Sequence, residues 1–443
     1  MAYTSACGLV AVLPLLLLLA WVGGARQTIA PLPCHHPSRS ASRKISVTWL
    51  GPVPQVTVME PELVKEVLFA KYGDFAKPNG NPLANLFLRG LVAYDGEKWA
   101  KHRKILNPAF HRMLPAFSVC CIELMSSWED MVGSEGYYEI DVWPDLQAFT
   151  GNVISRAAFG SSYEDGRRIY HLQTEQARLI KAIGGEIKEI IGSLIKKREE
   201  DMKAGKARNE NNDDLLGLLM ESNMNHSREH GNKNTKLTTE DVIEECKLFY
   251  FAGQETTSVL LTWTMILLSM HQSWQVRARE EVLQTFGKNN IPSYDDLSHL
   301  KIVTMILNEV LRLYPPAPIL HRRTYKTVKL GNVVYPPGVL VALPILLIHH
   351  DPDIWGKDAS EFNPDRFAQG VSNASKDKNA YFAFGFGPRI CIGQNFALIE
   401  ARLAICMILQ RFSFELSPSY AHAPYRVITL HPQHGAQIKM HRL

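Results

Sequence analysis

The run Phe384-Gly385-Phe386-Gly387-Pro388-Arg389-Ile390-Cys391-Ile392-Gly393 sets one cysteine in a glycine-rich loop that opens into an apolar helical stretch, Asn395 to Phe412. A cysteine at a helix N-terminus meets unpaired backbone N–H groups and the positive end of the helix dipole, and both favour its thiolate. A thiolate held in this way suits the proximal position on a haem iron, where it pushes electron density toward O–O cleavage. Gly387 and Gly393 allow the backbone to turn tightly and approach a flat ring. Arg389, two residues before the sulfur, is placed to donate to a haem propionate, and Phe384 to cover the sulfur and keep water away. A lone cysteine is most often a small buried hydrophobe. Here Phe384, Gly387, Arg389, Gly393 and the helix that follows all fit one use.

A second constellation interrupts a long apolar stretch: Ala252-Gly253-Gln254-Glu255-Thr256-Thr257. A mid-helix glycine costs about 1 kcal/mol relative to alanine, so Gly253 calls for a reason, and clearance beside a flat cofactor with room for O2 is one. Glu255 and Thr256 have the groups needed to relay protons to oxygen. The plainer use of the two threonines is to bond back to carbonyls one turn earlier. Glu309 and Arg312 stand at i, i+3 on one helical face, the spacing of an ion pair, which is by default a weak solvated one.

Together these residues resemble the haem-thiolate monooxygenases, the cytochromes P-450. The cysteine loop is similar to the F-x-x-G-x-R-x-C-x-G signature without a mismatch, and Ala252 to Thr256 to the A-G-x-[DE]-T oxygen-activation motif. The resemblance implies a mainly helical fold with small β-sheets in one large domain. It implies haem b with Cys391 as its axial ligand, and Ala252, Phe384 and Gly393 lying against the ring. Trp99 and Arg103 match a W-x-x-x-R helix that meets a propionate, and Arg322 falls where another propionate-binding arginine is usual. Phe362-Asn363-Pro364-Asp365-Arg366-Phe367 resembles the loop that adds a second arginine to the pair, so Glu309, Arg312 and Arg366 are expected to form a structural charge network. The same resemblance implies O2 as co-substrate and electrons from an NADPH–cytochrome P-450 reductase. Lys98, Lys101 and Lys104 are then either a solvated face or a docking patch for an acidic electron donor. Finer features, such as Cys391-Ile392-Gly393-Gln394-Asn395-Phe396-Ala397 and His349-His350-Asp351-Pro352, resemble a plant clan that includes secologanin synthase and triterpenoid hydroxylases, implying a hydrophobic, terpenoid-like substrate.

These motifs need a large scaffold, and the chain supplies one. Of 443 residues, 46% are hydrophobic and 21% charged, enough for an extensive core, and a net charge of +4 is too small to imply nucleic acid. Seven scattered cysteines with no C-x-x-C pair argue against a disulfide framework or a zinc site. The pattern predicts strands over 45–60 and helices over Pro61 to Phe69 and Gly96 to Phe110. It also predicts a long helical stretch from Asp165 to about Ala204 broken at Gly184-Gly185. A polar linker at 205–236 would hold a short helix, Leu215 to Met220. Thr238-x-x-Asp241 reads as a capping box opening a helix that runs to about Met270. Further helices and loops follow: Leu300 to Leu313, a hairpin from Val328 to Leu343 around Pro336-Pro337-Gly338, and a loop from Asp351 to Lys378.

Before this catalytic domain, at 45–443, the uncharged stretch Ala6 to Gly24 is near the length that spans a bilayer. Basic residues follow it, so residues 1–25 read as an uncleaved transmembrane anchor with the rest of the chain on the cytosolic side, at the endoplasmic reticulum membrane. Residues 26–44, with Pro31, Pro33 and Pro37, read as a stiff hinge. Two departures from the resemblance stand out. Some twenty residues separate anchor and first strand where members carry a longer segment, and the substrate lid between Ile180 and Glu186 is reduced to Lys181-Ala182-Ile183-Gly184-Gly185. The chain is therefore expected to hold haem even if an open lid weakens turnover. Two other outcomes remain: a haem-thiolate isomerase or dehydratase of hydroperoxides, which the Glu255-Thr256 pair disfavours, and a non-catalytic haem-binding remnant.

Overall fold

The structure is a computed structural model. It describes residues 44–70, 73–78, 89–107, 115–131, 136–160, 168, 182–203, 215–229, 237–378 and 380–443. The expected anchor and hinge lie outside these residues. Among the described residues no helix is long and apolar enough to cross a membrane.

The elements in chain order begin with β1 (Ile45–Leu50), β2 (Val53–Val58), α1 (Pro61–Phe69), β3 (Phe75–Ala76), α2 (Gly96–Leu106), α3 (Pro115–Met131), β4 (Tyr137–Asp141) and α4 (Val142–Phe159). Helices α5 (Ala182–Lys203), α6 (Leu215–Glu229), α7 (Thr239–Met270), α8 (Gln272–Phe286) and α9 (Lys301–Leu313) follow. The chain then forms β5 (Leu320–Thr324), β6 (Val328–Leu330), β7 (Val333–Tyr335), β8 (Leu340–Leu343), α10 (Gln394–Arg411), β9 (Phe412–Leu416), β10 (Pro424–Arg426), β11 (Leu430–Pro432) and β12 (Gln437–Arg442). Helices dominate, with a five-stranded sheet in the order β1-β2-β8-β5-β3, a three-stranded sheet β4-β12-β9 and two isolated hairpins.

Helix α7 is the axis of the molecule. The capping box forms as the sequence predicts: Asp241 N donates to Thr238 Oγ1 at 3.1 Å and Thr238 N to Asp241 Oδ2 at 3.2 Å. Its 32 residues rise about 48 Å at 1.5 Å each. Val259 to Ser269 is buried without interruption, so this half has no polar face, the pattern of a helix enclosed on all sides. The helical core around α7 and a second core beneath the five-stranded sheet share two partly buried neighbours, Met305 and Tyr381.

Several expectations change. Helix α5 starts at Ala182 and includes Gly184-Gly185, while the expected stretch from Asp165 up to it lies outside the described residues apart from Arg168; α6 extends to Glu229, nine residues beyond Met220. The hairpin turns at Gly331-Asn332 between β6 and β7, whereas Leu340–Leu343 leaves it to pair with β2 and β5. Pro336-Pro337 cannot donate to a ladder, and that is why the strands separate there. The stretch Asp351 to Lys378 holds a short helical turn, Pro352–Trp355, and two 3-10 turns. Helix α2 is described only to Leu106, so its expected end at Phe110 lies outside the described residues.

Gly253 also has a packing reason that the sequence did not suggest. A Cβ there would lie 3.0 Å from Ile154 Cδ1 and 3.3 Å from its Cγ1, both on α4. The glycine lets α7 and α4 approach closely. Gly253→Ala is therefore expected to lower stability by about 1–3 kcal/mol despite alanine's better helix propensity, as overpacking does. Adding Ile154→Val, which removes Cδ1, should recover part of the loss in urea unfolding of the double variant.

Candidate active site

The cysteine loop is shaped by close backbone contacts. Gly385 N donates to Phe382 O at 2.8 Å, Ile390 N to Gly387 O at 3.0 Å and Cys391 N to Phe384 O at 2.9 Å. Gly387 has φ +72°, and a Cβ there would lie 2.8 Å from Leu68 O of α1, so no side chain fits at that position. Gly393 is the N-cap of α10. Cys391 is solvent-exposed, yet protein crowds it closely enough that burial raises its thiol above the ordinary value. The Gly393 backbone N–H and the Arg103 charge pull the other way. The helix terminus thus helps the thiolate as expected, but in the chain alone burial outweighs it.

The cations expected near the ring divide into two groups. Arg103 of α2 donates to Ile390 O at 2.8 Å, bracing the loop beside the sulfur. Arg389 donates to Tyr94 O at 2.9 Å, pairs with Asp95, and lies 4.5 Å over the Trp99 ring. Trp99 therefore serves as a platform for Arg389. Arg322 of β5 is 5% exposed, and its Nη1 donates to the carbonyl of its neighbour His321 at 2.9 Å. Burial, then Arg389, push Arg322 down to about 10, with Asp95 opposing. Lys77 joins this group and escaped the sequence reading. Burial, Arg322 and Arg389 push its ammonium down to about 7. It follows a two-residue strand before Pro78, in no recognisable motif, and only the pairing of β3 with β5 brings it near Arg322. His321 is held down to about 4 by burial, Arg426, Lys77 and Arg322. Asp95 opposes the shifts of Lys77 and Arg322, and its Oδ2 also accepts from Lys77 N at 2.7 Å. Three cations gathered in this way, with Arg322 buried, fit a ligand that carries two carboxylates. By this test the residues present suit a haem whose sulfur ligand is Cys391.

On α7, Thr256 Oγ1 donates to Ala252 O at 2.6 Å, the back-bond one turn earlier that is the plainer use of a helical threonine. The hydroxyl oxygen still has lone pairs to accept with. Thr257 is buried, and its hydroxyl has no partner among the described residues. Glu255 accepts through Oε1 from Thr429 Oγ1 at 2.6 Å, a contact from the β10–β11 hairpin that no local motif signals.

The charge network is buried, and within it every guanidinium donor of Arg312 finds an acceptor. Arg312 grips Glu309 with two bonds, Nε to Oε2 at 2.7 Å and Nη2 to Oε1 at 2.8 Å, both residues being inaccessible to solvent. Arg312 also donates to His349 O, Ala359 O and Glu361 O, and Asn363 N donates to Glu309 Oε1 at 2.9 Å. Arg366 joins the pair as expected, its Nε 3.6 Å from Glu309 Oε1, and it also binds Asp358 at 2.7 Å, a partner the sequence did not signal. The Asn363-Pro364 turn aims the Arg366 guanidinium at Asp358 and the Trp355 carbonyl. His349 carries the network toward the cysteine loop, accepting from Phe382 N at 2.9 Å. Burial holds this histidine down to about 3, so it stays a neutral acceptor there.

The cation cluster has a pH signature. The folded state releases the Lys77 proton near 7, whereas the unfolded chain keeps it to about 10.5. Between these values the unfolded state binds more protons, so this group's contribution to stability rises with pH. Below 7 the full cost of the crowded charge is present. Relative to Lys77→Met, the cofactor-free parent should gain in urea midpoint as pH rises from about 7 toward about 10. A parent advantage that shrinks over that range would count against this placement of Lys77.

Comparison with known proteins agrees with this geometry. The chain matches the Cytochrome P450 family over residues 39–173 and 168–438. It is 59% identical over 428 residues to a cytochrome P450 of Paris polyphylla, covering 90% of this chain and 82% of the relative. It is 52% identical over 430 residues to the 11-oxo-beta-amyrin 30-oxidase of Glycyrrhiza uralensis, covering 90% and 81%. With the echinocystic acid 23-monooxygenase of Saponaria officinalis it shares 52% over 426 residues, covering 89% and 81%. The crystal structure of the cytochrome P450DA heme domain superposes with a TM-score of 0.76 at 25% identity, covering 90% of this chain and 89% of that one. With the cysteine loop, the α7 motif and the buried Glu309–Arg312 pair in one fold, the chain belongs to the cytochrome P450 family and is a P450 monooxygenase.

Proposed function

We propose that this enzyme inserts one oxygen atom from O2 into a triterpenoid-like molecule, using haem b bound through Cys391 and electrons from an NADPH-dependent P450 reductase. The observation that supports it most is the solvent-exposed Cys391 beside Arg103, with the cations Lys77, Arg322 and Arg389 gathered close by. The substrate class rests on two relatives whose names specify a beta-amyrin derivative and echinocystic acid. When bound, the haem supplies O2 activation, helped by the electron-rich sulfur.

The residues of the chain divide the remaining work. Arg322, Arg389 and Lys77 hold the propionates, with Trp99 as the platform for Arg389, while Arg103 steadies the loop that carries the sulfur. Phe384 and Gly393 border the ligand loop, and Ala252 leaves the facing side of α7 low. Glu255 and Thr256 pass protons from solvent toward the oxygen side. Glu309, Arg312 and Arg366 are structural and hold the segments on which the loop rests. An N-terminal anchor would keep the catalytic domain at the cytosolic face of the endoplasmic reticulum membrane, beside its reductase and an apolar substrate dissolved in lipid.

One observation favours a second reading, a haem-holding protein with weak turnover. The two stretches of family match meet at 168–173, a few residues before the shortened lid. Haem stoichiometry measured beside product formation from terpenoid substrates separates the readings.

Cys391→Ser is expected to lose the thiolate-type carbon monoxide spectrum of the reduced protein and all monooxygenase activity; an unchanged spectrum removes Cys391 from the iron. Thr256→Ala should retain haem and substrate binding while sending NADPH electrons to hydrogen peroxide, and parent-level coupling of NADPH use to product would count against the proton relay.

A further inference from the structure

A glutamate that moves protons has to keep its carboxylate in one orientation, and Glu255 has three rotatable bonds that would otherwise leave it loose. Among the described residues its carboxylate has a single hydrogen-bond donor, the Thr429 hydroxyl at 2.6 Å. Thr429 is 5% exposed and lies in the turn between β10 and β11, a hairpin paired with no other sheet. The turn is fixed to the helical core from outside the hairpin. Leu430 N donates to Pro316 O at 3.2 Å. Leu430 O accepts from Trp263 Nε1 at 2.7 Å, two turns along α7 from Glu255. Trp263 is itself stacked on Tyr314 at 4.1 Å and 12°. The same helix therefore both carries the carboxylate and anchors the turn that grips it.

The neighbouring ionisable group does not compete for this role. His431 packs its ring 5.7 Å from Trp143, and burial lowers its pKa, with Glu255 pulling it up by a smaller amount. Among the described residues no hydrogen bond joins His431 to the Glu255 carboxylate, and Thr429 is the donor.

We propose that Thr429 is a positioning residue for oxygen activation, holding Glu255 Oε1 so that Oε2 is the oxygen that gives and takes protons beside Thr256. The Thr429 hydroxyl donates to Oε1 whether Oε2 is bare or protonated, because the carbonyl oxygen of the acid still accepts. Valine has threonine's shape and no donor. This inference rests on the proton-relay reading of Glu255 and Thr256.

The test compares Thr429→Val, Thr429→Ser, Glu255→Gln and the Glu255→Gln/Thr429→Val double variant in the haem-loaded protein with reductase. Thr429→Val should send roughly five-fold more NADPH electrons to hydrogen peroxide, the factor expected for losing one hydrogen bond of ordinary strength. Thr429→Ser should stay near the parent. Thr429→Val should add nothing to Glu255→Gln, since the two share one interaction. A readout independent of turnover is the isotope-labelled glutamate carboxyl resonance that disappears in Glu255→Gln; it should shift in Thr429→Val and return in Thr429→Ser. If Glu255→Gln uncouples and Thr429→Val does not, or if serine uncouples as fully as valine, the positioning role is overturned. If neither Glu255→Gln nor Thr256→Ala uncouples, the relay reading itself fails and this inference falls with it.

Discussion

The buried pair of Glu309 and Arg312 is the constraint on which the catalytic side of the molecule depends. Removing one partner of such a pair typically costs about 3–5 kcal/mol, because a charge is left in a medium that cannot solvate it. Here every arm is answered: two bonds join the pair, three backbone carbonyls take the other guanidinium protons, and Asn363 N takes up a carboxylate lone pair. Those carbonyls belong to two separate segments, one at His349 and one at Ala359 and Glu361, so satisfying one ion pair fixes two stretches of chain. His349 then passes the constraint to Phe382 N, which stands at the entrance to the cysteine loop. The ring of His349 is stacked on Tyr381 at 5.4 Å and 9°, which fixes its plane as well as its position.

The opposite condition holds at the cation cluster. Arg389 lowers the proton affinity of both Lys77 and Arg322, Arg322 lowers that of Lys77, and Asp95 opposes the shift of each. A fold that kept this arrangement for stability alone would pair the charges or replace them with apolar groups. Electrostatic strain of this kind is relieved by a ligand of opposite charge, so affinity for a dianion and instability without it have one origin.

Much of this was legible in the sequence where function follows from short spacing. The Thr238–Asp241 cap, the Glu309–Arg312 pair and the cysteine loop each depend on residues within a few positions of one another, so residue type and distance along the chain decide them. What escaped depends on long-range pairing. Lys77 reaches Arg322 through β3 and β5, His349 reaches Phe382 across a loop, and Thr429 reaches Glu255 from a hairpin far along the chain. The mistaken readings have a local cause as well. Gly184-Gly185 looked like a helix break on propensity, but a cost of about 1 kcal/mol per glycine is small enough for the two to sit inside α5 near its start. The pairing of Leu340–Leu343 with β2 and β5 likewise followed from burial in a sheet that no hairpin pattern reveals.

Helix α7 shows how packing and chemistry coexist on one element. Its C-terminal half is enclosed by core on all sides, which gives it rigidity but leaves no freedom for a moving acid. The Ala252 to Thr257 segment departs from that pattern. Gly253 lets the helix press against α4, Thr150 of α4 donates to the Gln254 carbonyl at 3.0 Å, and Thr256 draws on the Ala252 carbonyl. Side chains thus supply two extra donors to backbone carbonyls within three residues, tying this part of the helix to its neighbour and to itself while Glu255 faces the hairpin. A carboxylate that carries protons needs fixed surroundings on both sides. The enclosed helix fixes its backbone, and the hydrogen bond from Thr429 fixes one of its oxygens without burying the other in the core.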